Sequence, residues 1–160
     1  MSVLPIVTKA PPVKTSNIIT ISRLYSVILI IFAVTQLFSF PDFQVLIQSY
    51  WLPGGTPSAY LLSGVIVIAE VFALPFLLRM RVSNLFRIVS MVLGWIVPVI
   101  WLGISLWLLL SVNAVTNIGF LGTVFVLTPG WWAVFVSLAL ATLAAWASWG
   151  MWPLGHTHKK

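Results

Sequence analysis

The stretch that decides the fold runs SAYLLSGVIVIAEVFALPFLL over residues 58–78. It carries a single charged side chain, Glu70, in an apolar run long enough to cross a bilayer, since a spanning helix needs about 20 mainly apolar residues. An ionisable side chain at membrane depth costs at least about 2.5 kcal/mol on insertion scales, so it normally faces protein or water and has a partner or a task. Glu70 is therefore the first candidate functional residue.

The rest of the chain has the composition of an integral membrane protein. Hydrophobic residues make up 61% of the 160 residues and charged residues 6%, whereas soluble domains carry about 25% charged residues. Apolar runs predict four transmembrane helices, at about residues 20–40, 58–78, 88–111 and 131–150. We predict an all-α, four-helix membrane bundle: an irregular arm over residues 1–17, one membrane domain over 18–153 and a polar tail over 154–160.

The positions of the Lys and Arg residues predict the orientation of the bundle. All 8 of them precede the first span, connect the second span to the third, or end the chain, so a four-span topology places them on one side. The positive-inside rule makes that side cytoplasmic and puts both termini there. Topology thus explains the net charge of +6, and nucleic acid is not an expected partner.

The two connections on the opposite side differ in what they predict. After the first span, Phe43, Leu46, Ile47 and Tyr50 follow three- and four-residue steps, which predicts a short amphipathic helix at the outer interface. The uncharged, apolar loop over residues 111–128 has three interpretations: it caps the bundle, dips into the membrane or extends a span. The sequence does not choose among them.

Two interpretations of Glu70 also stay open. It could be a proton carrier, cation site or ligand anchor, or a hydrogen-bonded carboxyl that fixes the helix register; a low dielectric favours the neutral form in either case. Arg79 lies nine residues, or roughly 13 Å, further along the helix, so an ion pair within the chain is not expected. Gln36, on the first span, is the second candidate, with a helix–helix hydrogen bond as the favoured role. The polar residues that could hydrogen-bond to Glu70 are Thr35, Gln36, Ser39, Ser63, Ser90, Ser105, Ser137 and Thr142.

Many of the nine Trp residues lie near predicted helix ends. Such positions are typical of membrane–water interfaces, although aromatic side chains also form surfaces for flat hydrophobic ligands. Two deeper residues, Trp95 and Trp101, are explained most simply by helix packing in a larger assembly. The predicted interfacial residues are Trp51, Trp131, Trp132, Trp149 and Trp152.

The residue types needed for most chemistry are missing from the predicted spans. The chain has no Cys, and its two His residues, His156 and His158, lie in the polar tail, where solvation is favoured over metal binding. Haem ligation by His within the spans is excluded, and no Ser-His-Asp set or glycine-rich phosphate loop is present. We expect no catalysis by this chain alone, no metal and no bound cofactor; quinone or lipid stays open as a ligand.

The order of these features resembles the DoxX-like and MauE-like family of small four-span membrane proteins. The matching features are Arg23 at the start of the first span, the segment FQVLIQSYWLP over residues 43–53, and Glu70 followed by Leu74 and by Leu-Leu-Arg over 77–79. The family often has Gly and Lys where this chain has Val-Thr-Gln over 34–36, so a charge-paired site is not carried over.

The resemblance implies an accessory role in a redox system. Members include subunits of thiosulfate–quinone oxidoreductases and proteins needed to mature periplasmic enzymes, and a eukaryotic branch acts as membrane chaperones. The lack of Cys argues against the thiol-linked members. We therefore expect a non-catalytic accessory subunit, in a prokaryotic cytoplasmic membrane, that contacts other membrane subunits and lipids and stabilises or helps assemble an oxidoreductase complex. The alternative is a small carrier or quinone-binding protein that uses Glu70 as a proton site.

Overall fold

The computed structural model describes residue 10, residues 13–111 and residues 115–152. These residues form five helices, four of which are long and apolar enough to cross a membrane. The predicted all-α, four-helix membrane bundle with a short helix in the first outer connection is therefore confirmed. The helices are α1 (Ser16–Phe38), α2 (Phe40–Gln48), α3 (Gly55–Leu77), α4 (Asn84–Leu110) and α5 (Trp131–Gly150).

Helix boundaries differ from the predicted ones by a few residues. Helix α1 begins at Ser16, inside the predicted arm, after the extended residue Thr15. Pro41 lies after the end of α1, in the first turn of α2, where a missing N–H removes no hydrogen bond. Helix α3 begins at Gly55, after Gly54 in the left-handed conformation. The tail over 154–160 and residues 1–9 of the arm lie outside the described residues.

The four long helices pack in a closed ring. Helix α1 packs on α3 and α5, and α4 packs on the same two helices from the other side, while α2 lies against α3. The start of α1 meets the end of α5, where the Lys14 N–H donates to the Gly150 carbonyl and Ile18 fills the space that a β-carbon on residue 150 would take. These two ends therefore share one face of the bundle, which the Lys and Arg pattern predicts to be cytoplasmic.

Hydroxyl groups on neighbouring helices satisfy backbone groups near the two prolines inside helices. Pro98 has no N–H to give to the carbonyl four residues earlier, and the Tyr25 hydroxyl donates to that Gly94 carbonyl at 2.6 Å. Beside Pro75 in α3, the Phe76 N–H donates to the Ser90 hydroxyl at 2.9 Å. Membrane helices tolerate proline when neighbours satisfy such groups, so these contacts join α1 and α3 to α4.

The candidate site at Glu70

Glu70 and Gln36 meet in the interior of the bundle, although they lie 34 residues apart. Side chains on a helix lean towards its N-terminus. Because α1 and α3 run in opposite directions, the Gln36 side chain leans back from the outer end of α1 while Glu70 leans towards that end. Both side chains have 0% exposure.

Two N–H groups donate to the same oxygen of Glu70. Glu70 Oε1 accepts from Gln36 Nε2 at 3.2 Å and from the indole Nε1 of Trp101 at 3.3 Å. Trp101 lies on α4, which runs parallel to α1, so its side chain also leans towards Glu70. The carboxyl thereby joins α1, α3 and α4.

The Gln36 amide also connects the carboxyl to the loop between α4 and α5. Its Nε2 donates a second hydrogen bond, 3.1 Å long, to the main-chain carbonyl of Phe120. We refer to Glu70, Gln36, Trp101 and Phe120 as the Glu70 cluster. The Gln36 amide nitrogen thus donates both to the buried Glu70 carboxyl and to the loop between α4 and α5.

Two oxygen atoms of the Glu70 cluster have no hydrogen-bond partner among the described residues. They are Oε2 of Glu70 and Oε1 of Gln36, and both are buried. Buried polar groups in proteins are usually paired, because an unpaired one costs about 1–3 kcal/mol. A proton on the carboxyl, or a bound group that carries a hydroxyl, would supply the missing donor.

Aromatic rings from three helices surround the Phe120 ring. Its centroid lies 4.7 Å from that of Trp101 on α4, 5.5 Å from that of Phe32 on α1 and 5.9 Å from that of Trp132 on α5. The Phe32 ring is stacked on it, with an interplanar angle of 27°. Phe120 is thus the innermost anchor of its loop.

The loop over residues 115–130, here called the outer loop, is held in one conformation by Asn117. The Asn117 Oδ1 accepts from the N–H groups of Gly119 and Leu127, both at 3.1 Å, and Nδ2 donates to the Gly122 carbonyl. The Ile118 N–H donates to the Leu127 carbonyl at 2.7 Å. Residues 115–130 are not helical, so they do not extend a span, and they pack into one end of the bundle.

Gly122 brings the outer loop into contact with the backbone of α1. Its φ is +60°, and a β-carbon there would lie 3.0 Å from the Thr35 carbonyl oxygen and 3.1 Å from the Gln36 Cα. Ser39 and Thr123 add a 2.6 Å hydrogen bond between their hydroxyl groups. The loop therefore seals the end of α1 directly above Gln36.

Tyr50, just after α2, supports the outer loop from the other side. Burial raises the pKa of its phenol well above the usual range, so the hydroxyl keeps its proton and donates to the Asn117 carbonyl at 3.1 Å. The Tyr50 carbonyl in turn accepts from Trp107 on α4 at 2.9 Å. Helix α2, the loop and α4 thus form one connected outer cap.

The predicted residues do not all converge on the site. Of the polar residues that could hydrogen-bond to Glu70, Gln36 does so. Ser90 instead bonds near Pro75, Ser105 contacts Ser137, and Thr35 bonds within its own helix. Two members of the cluster were missed. Trp101 was interpreted as a packing residue, and no sequence signal placed the Phe120 carbonyl beside Gln36.

The predicted interfacial Trp residues lie at helix ends. Trp51 follows α2, Trp131 and Trp132 begin α5, Trp149 is in its last turn and Trp152 comes just after it; all five are exposed. These positions fit an aromatic belt at each interface, which stays a prediction. His156 and His158 lie outside the described residues.

A separate cavity of about 400 Å³ lies between α2 and the start of α3, away from the Glu70 cluster. It has both apolar and polar walls, as expected for a surface that faces lipid headgroups and chains. The Gln48 amide donates to the Thr56 hydroxyl across it. The lining residues are Val45, Gln48, Ser49, Trp51, Leu52, Gly55, Thr56 and Ala59.

Comparisons of the chain with protein-family models, curated proteins and solved structures found no match. The resemblance to DoxX-like and MauE-like proteins therefore stays a prediction.

Proposed function

We propose that this chain is a non-catalytic accessory subunit that packs against a larger membrane complex and stabilises it or helps to assemble it. By the resemblance described above, that complex is an oxidoreductase of a prokaryotic cytoplasmic membrane. The partners are other membrane subunits and lipids, and the cavity beside α2 is a suitable place for a lipid. The chain itself binds no cofactor for catalysis in this proposal.

The observation that carries the proposal is the closure of the interior around Glu70. The carboxyl has no exposed surface, and its hydrogen bonds tie it to α1 and α4. The outer loop covers the same region through Phe120. A bundle whose interior is used for its own packing interacts chiefly through its outer surface, which supports a role in subunit contacts.

The inner ends of α1 and α5 offer an aromatic surface for such contacts. Trp146 and Trp149 lie one turn apart on α5 and are exposed, and the Lys14 ammonium lies 4.9 Å from the centroid of the Trp149 ring. Tryptophan is frequent at protein interfaces as well as at headgroups, and a cation over its ring adds a cation–π attraction. We expect this surface to contact a partner subunit.

Affinity purification in mild detergent tests this proposal. The tagged chain should recover partner subunits in fixed stoichiometry, and the double substitution Trp146→Ala with Trp149→Ala should reduce that recovery. Phe135→Ala is the matched control, because Phe135 is an exposed aromatic residue nearer the start of α5. Recovery of an isolated, monodisperse and fully stable monomer would contradict the proposal.

The two unpartnered oxygens favour a second candidate function, a small carrier or quinone-binding protein in which Glu70 takes up a proton. Glu70→Gln should then abolish proton-coupled transport or quinone-linked activity and leave the fold intact, because the amide oxygen can still accept from Gln36 and Trp101. Asp42→Asn, which removes the chain's other acid at an exposed position, should change nothing. Unchanged activity of Glu70→Gln would eliminate this candidate.

A further inference from the structure

Phe120 occupies an unusual position for a loop side chain. Its three aromatic neighbours, Phe32, Trp101 and Trp132, belong to three different transmembrane helices, and Phe120 is only 2% exposed. The helices supply the walls of a ring-shaped space, and a loop residue supplies the ring that fills it. Loops open locally at a lower free-energy cost than core helices, so this loop can carry its ring out of the space while the helices stay in place.

Polar groups adjoin this space through Trp101, whose ring contacts Phe120 and whose indole N–H donates to Glu70. Gln36 Nε2 donates to a carbonyl oxygen there, at present the main-chain carbonyl of Phe120. Glu70 Oε2 and Gln36 Oε1 are buried acceptors without a partner among the described residues. These groups can therefore give one hydrogen bond to a carbonyl and accept one from a hydroxyl.

We propose that the space filled by Phe120 is a binding site for a planar, lipid-soluble ring with an oxygen at its edge, of the quinone or hydroquinone class. The bound ring stacks on Phe32 and Trp101 in place of the Phe120 side chain. Its carbonyl oxygen accepts from Gln36 Nε2 in place of the Phe120 carbonyl, and the hydroxyl of a reduced ring donates to Glu70 Oε2. The outer loop is the internal occupant that the ligand must displace.

This site rests on the second of the two candidate functions and specifies it, since it states where the ring binds and what competes with it. It adds no proton or electron transfer step. The ligand class follows from the shape of the aromatic walls, from the two kinds of hydrogen-bonding group beside them and from the membrane as the source of the ligand.

Photolabelling with a short-tailed azido-ubiquinone, mapped by mass spectrometry, tests the site. In the full-length protein the label should fall on the peptides that carry Phe32 and Trp132, and unlabelled quinone should compete. Phe120→Ala removes the internal occupant and should increase this labelling on the order of tenfold, because an internally blocked site binds in proportion to its open fraction. Phe125→Ala is the matched control, an exposed aromatic residue of the same loop, and should leave labelling unchanged.

A second variant keeps the test decisive if Phe120→Ala does not fold. Phe120→Leu keeps an apolar side chain in the space but removes the ring that stacks on Phe32, so it should increase labelling less than Phe120→Ala does. Labelling confined to exposed Trp residues, or unaffected by these substitutions, would overturn the site.

The experiments separate failure of the binding site from failure of the function that uses Glu70 as a proton site. Specific labelling together with full quinone-linked activity of Glu70→Gln would keep the binding site and reject Glu70 as a proton site. Absent labelling together with a loss of that activity would reject the binding site and keep the proton site.

Discussion

Gly122→Ala should release the outer loop from α1. At φ +60° an alanine costs about 1–2 kcal/mol in the left-handed region. The added methyl group would also lie 3.0–3.3 Å from three backbone atoms of Thr35 and Gln36, which cannot rotate away as a side chain can. Overpacking of this kind costs about 1–3 kcal/mol. We expect docking of the loop to weaken by about 3 kcal/mol in total.

Hydrogen exchange of two loop amides measures this loss directly. The Ile118 N–H donates to the Leu127 carbonyl and the Leu127 N–H donates to Asn117, so both are protected only while the loop keeps its conformation. A loss of about 3 kcal/mol should speed their exchange on the order of 100-fold, since each 1.4 kcal/mol is about a factor of ten.

Gly55→Ala is the matched control for backbone strain. Gly55 has a similar φ of +67°, but, apart from its own chain neighbours and helix backbone, none of the described residues has an atom within 4 Å of the position its β-carbon would take. This variant should lower stability at the start of α3 through its positive φ and leave hydrogen exchange of the two loop amides unchanged. Less than a twofold change in Gly122→Ala, or equal acceleration in Gly55→Ala, would refute the close packing of the loop on α1.

Three other predictions concern α3, the outer loop and the orientation. Ser90→Ala should lower the free energy of unfolding in detergent by about 1 kcal/mol, because it removes the hydroxyl that accepts from the Phe76 N–H beside the α3 proline, whereas Thr142→Ala, at an exposed intrahelical bond, should have almost no effect. Asn117→Ala should lower the thermal midpoint, because it removes all three side-chain hydrogen bonds that shape the outer loop; an unchanged midpoint would contradict this assignment. Because the chain has no Cys, Arg81→Cys and Thr128→Cys introduce single thiols, and an impermeant reagent should label only Thr128→Cys in intact cells. Labelling of Arg81→Cys instead would reverse the predicted orientation.

More of the fold than of the site could be predicted from the sequence. Bilayer thickness fixes the length of an apolar helix, so the four spans follow from hydropathy to within a few residues. The step pattern from Phe43 to Tyr50 also predicts the short helix α2, which is observed over Phe40–Gln48, so Tyr50 belongs to the outer cap. The observed start of α1 at Ser16 lies before the predicted one because the helix continues into polar residues, which hydropathy does not count as part of a span.

The site depended on contacts that no periodicity encodes. Glu70 and Gln36 were recognisable because polar side chains in apolar runs need a partner in the membrane. Trp101 was indistinguishable from a packing residue, since its indole N–H is one donor on a large apolar ring. Phe120 contributes a backbone carbonyl from an irregular loop, and its position depends on the Asn117 turn and on the close approach of Gly122, both of which are tertiary features.

An amide partner gives Glu70 a different property from a basic one. A Lys or Arg at this depth would favour the ionised carboxyl and would itself be costly without the acid. Gln36 and Trp101 carry no charge, and both donate to the same oxygen, so they can hold the carboxyl in place whether or not its other oxygen carries a proton. Because Gln36 also holds the Phe120 carbonyl, any ligand or proton that moves this amide also acts on the outer loop. The contact that joins α1 to α3 and the proposed ligand site therefore depend on the same Gln36 amide. In that proposal, substitutions at Gln36 affect both, whereas substitutions at Phe120 separate them.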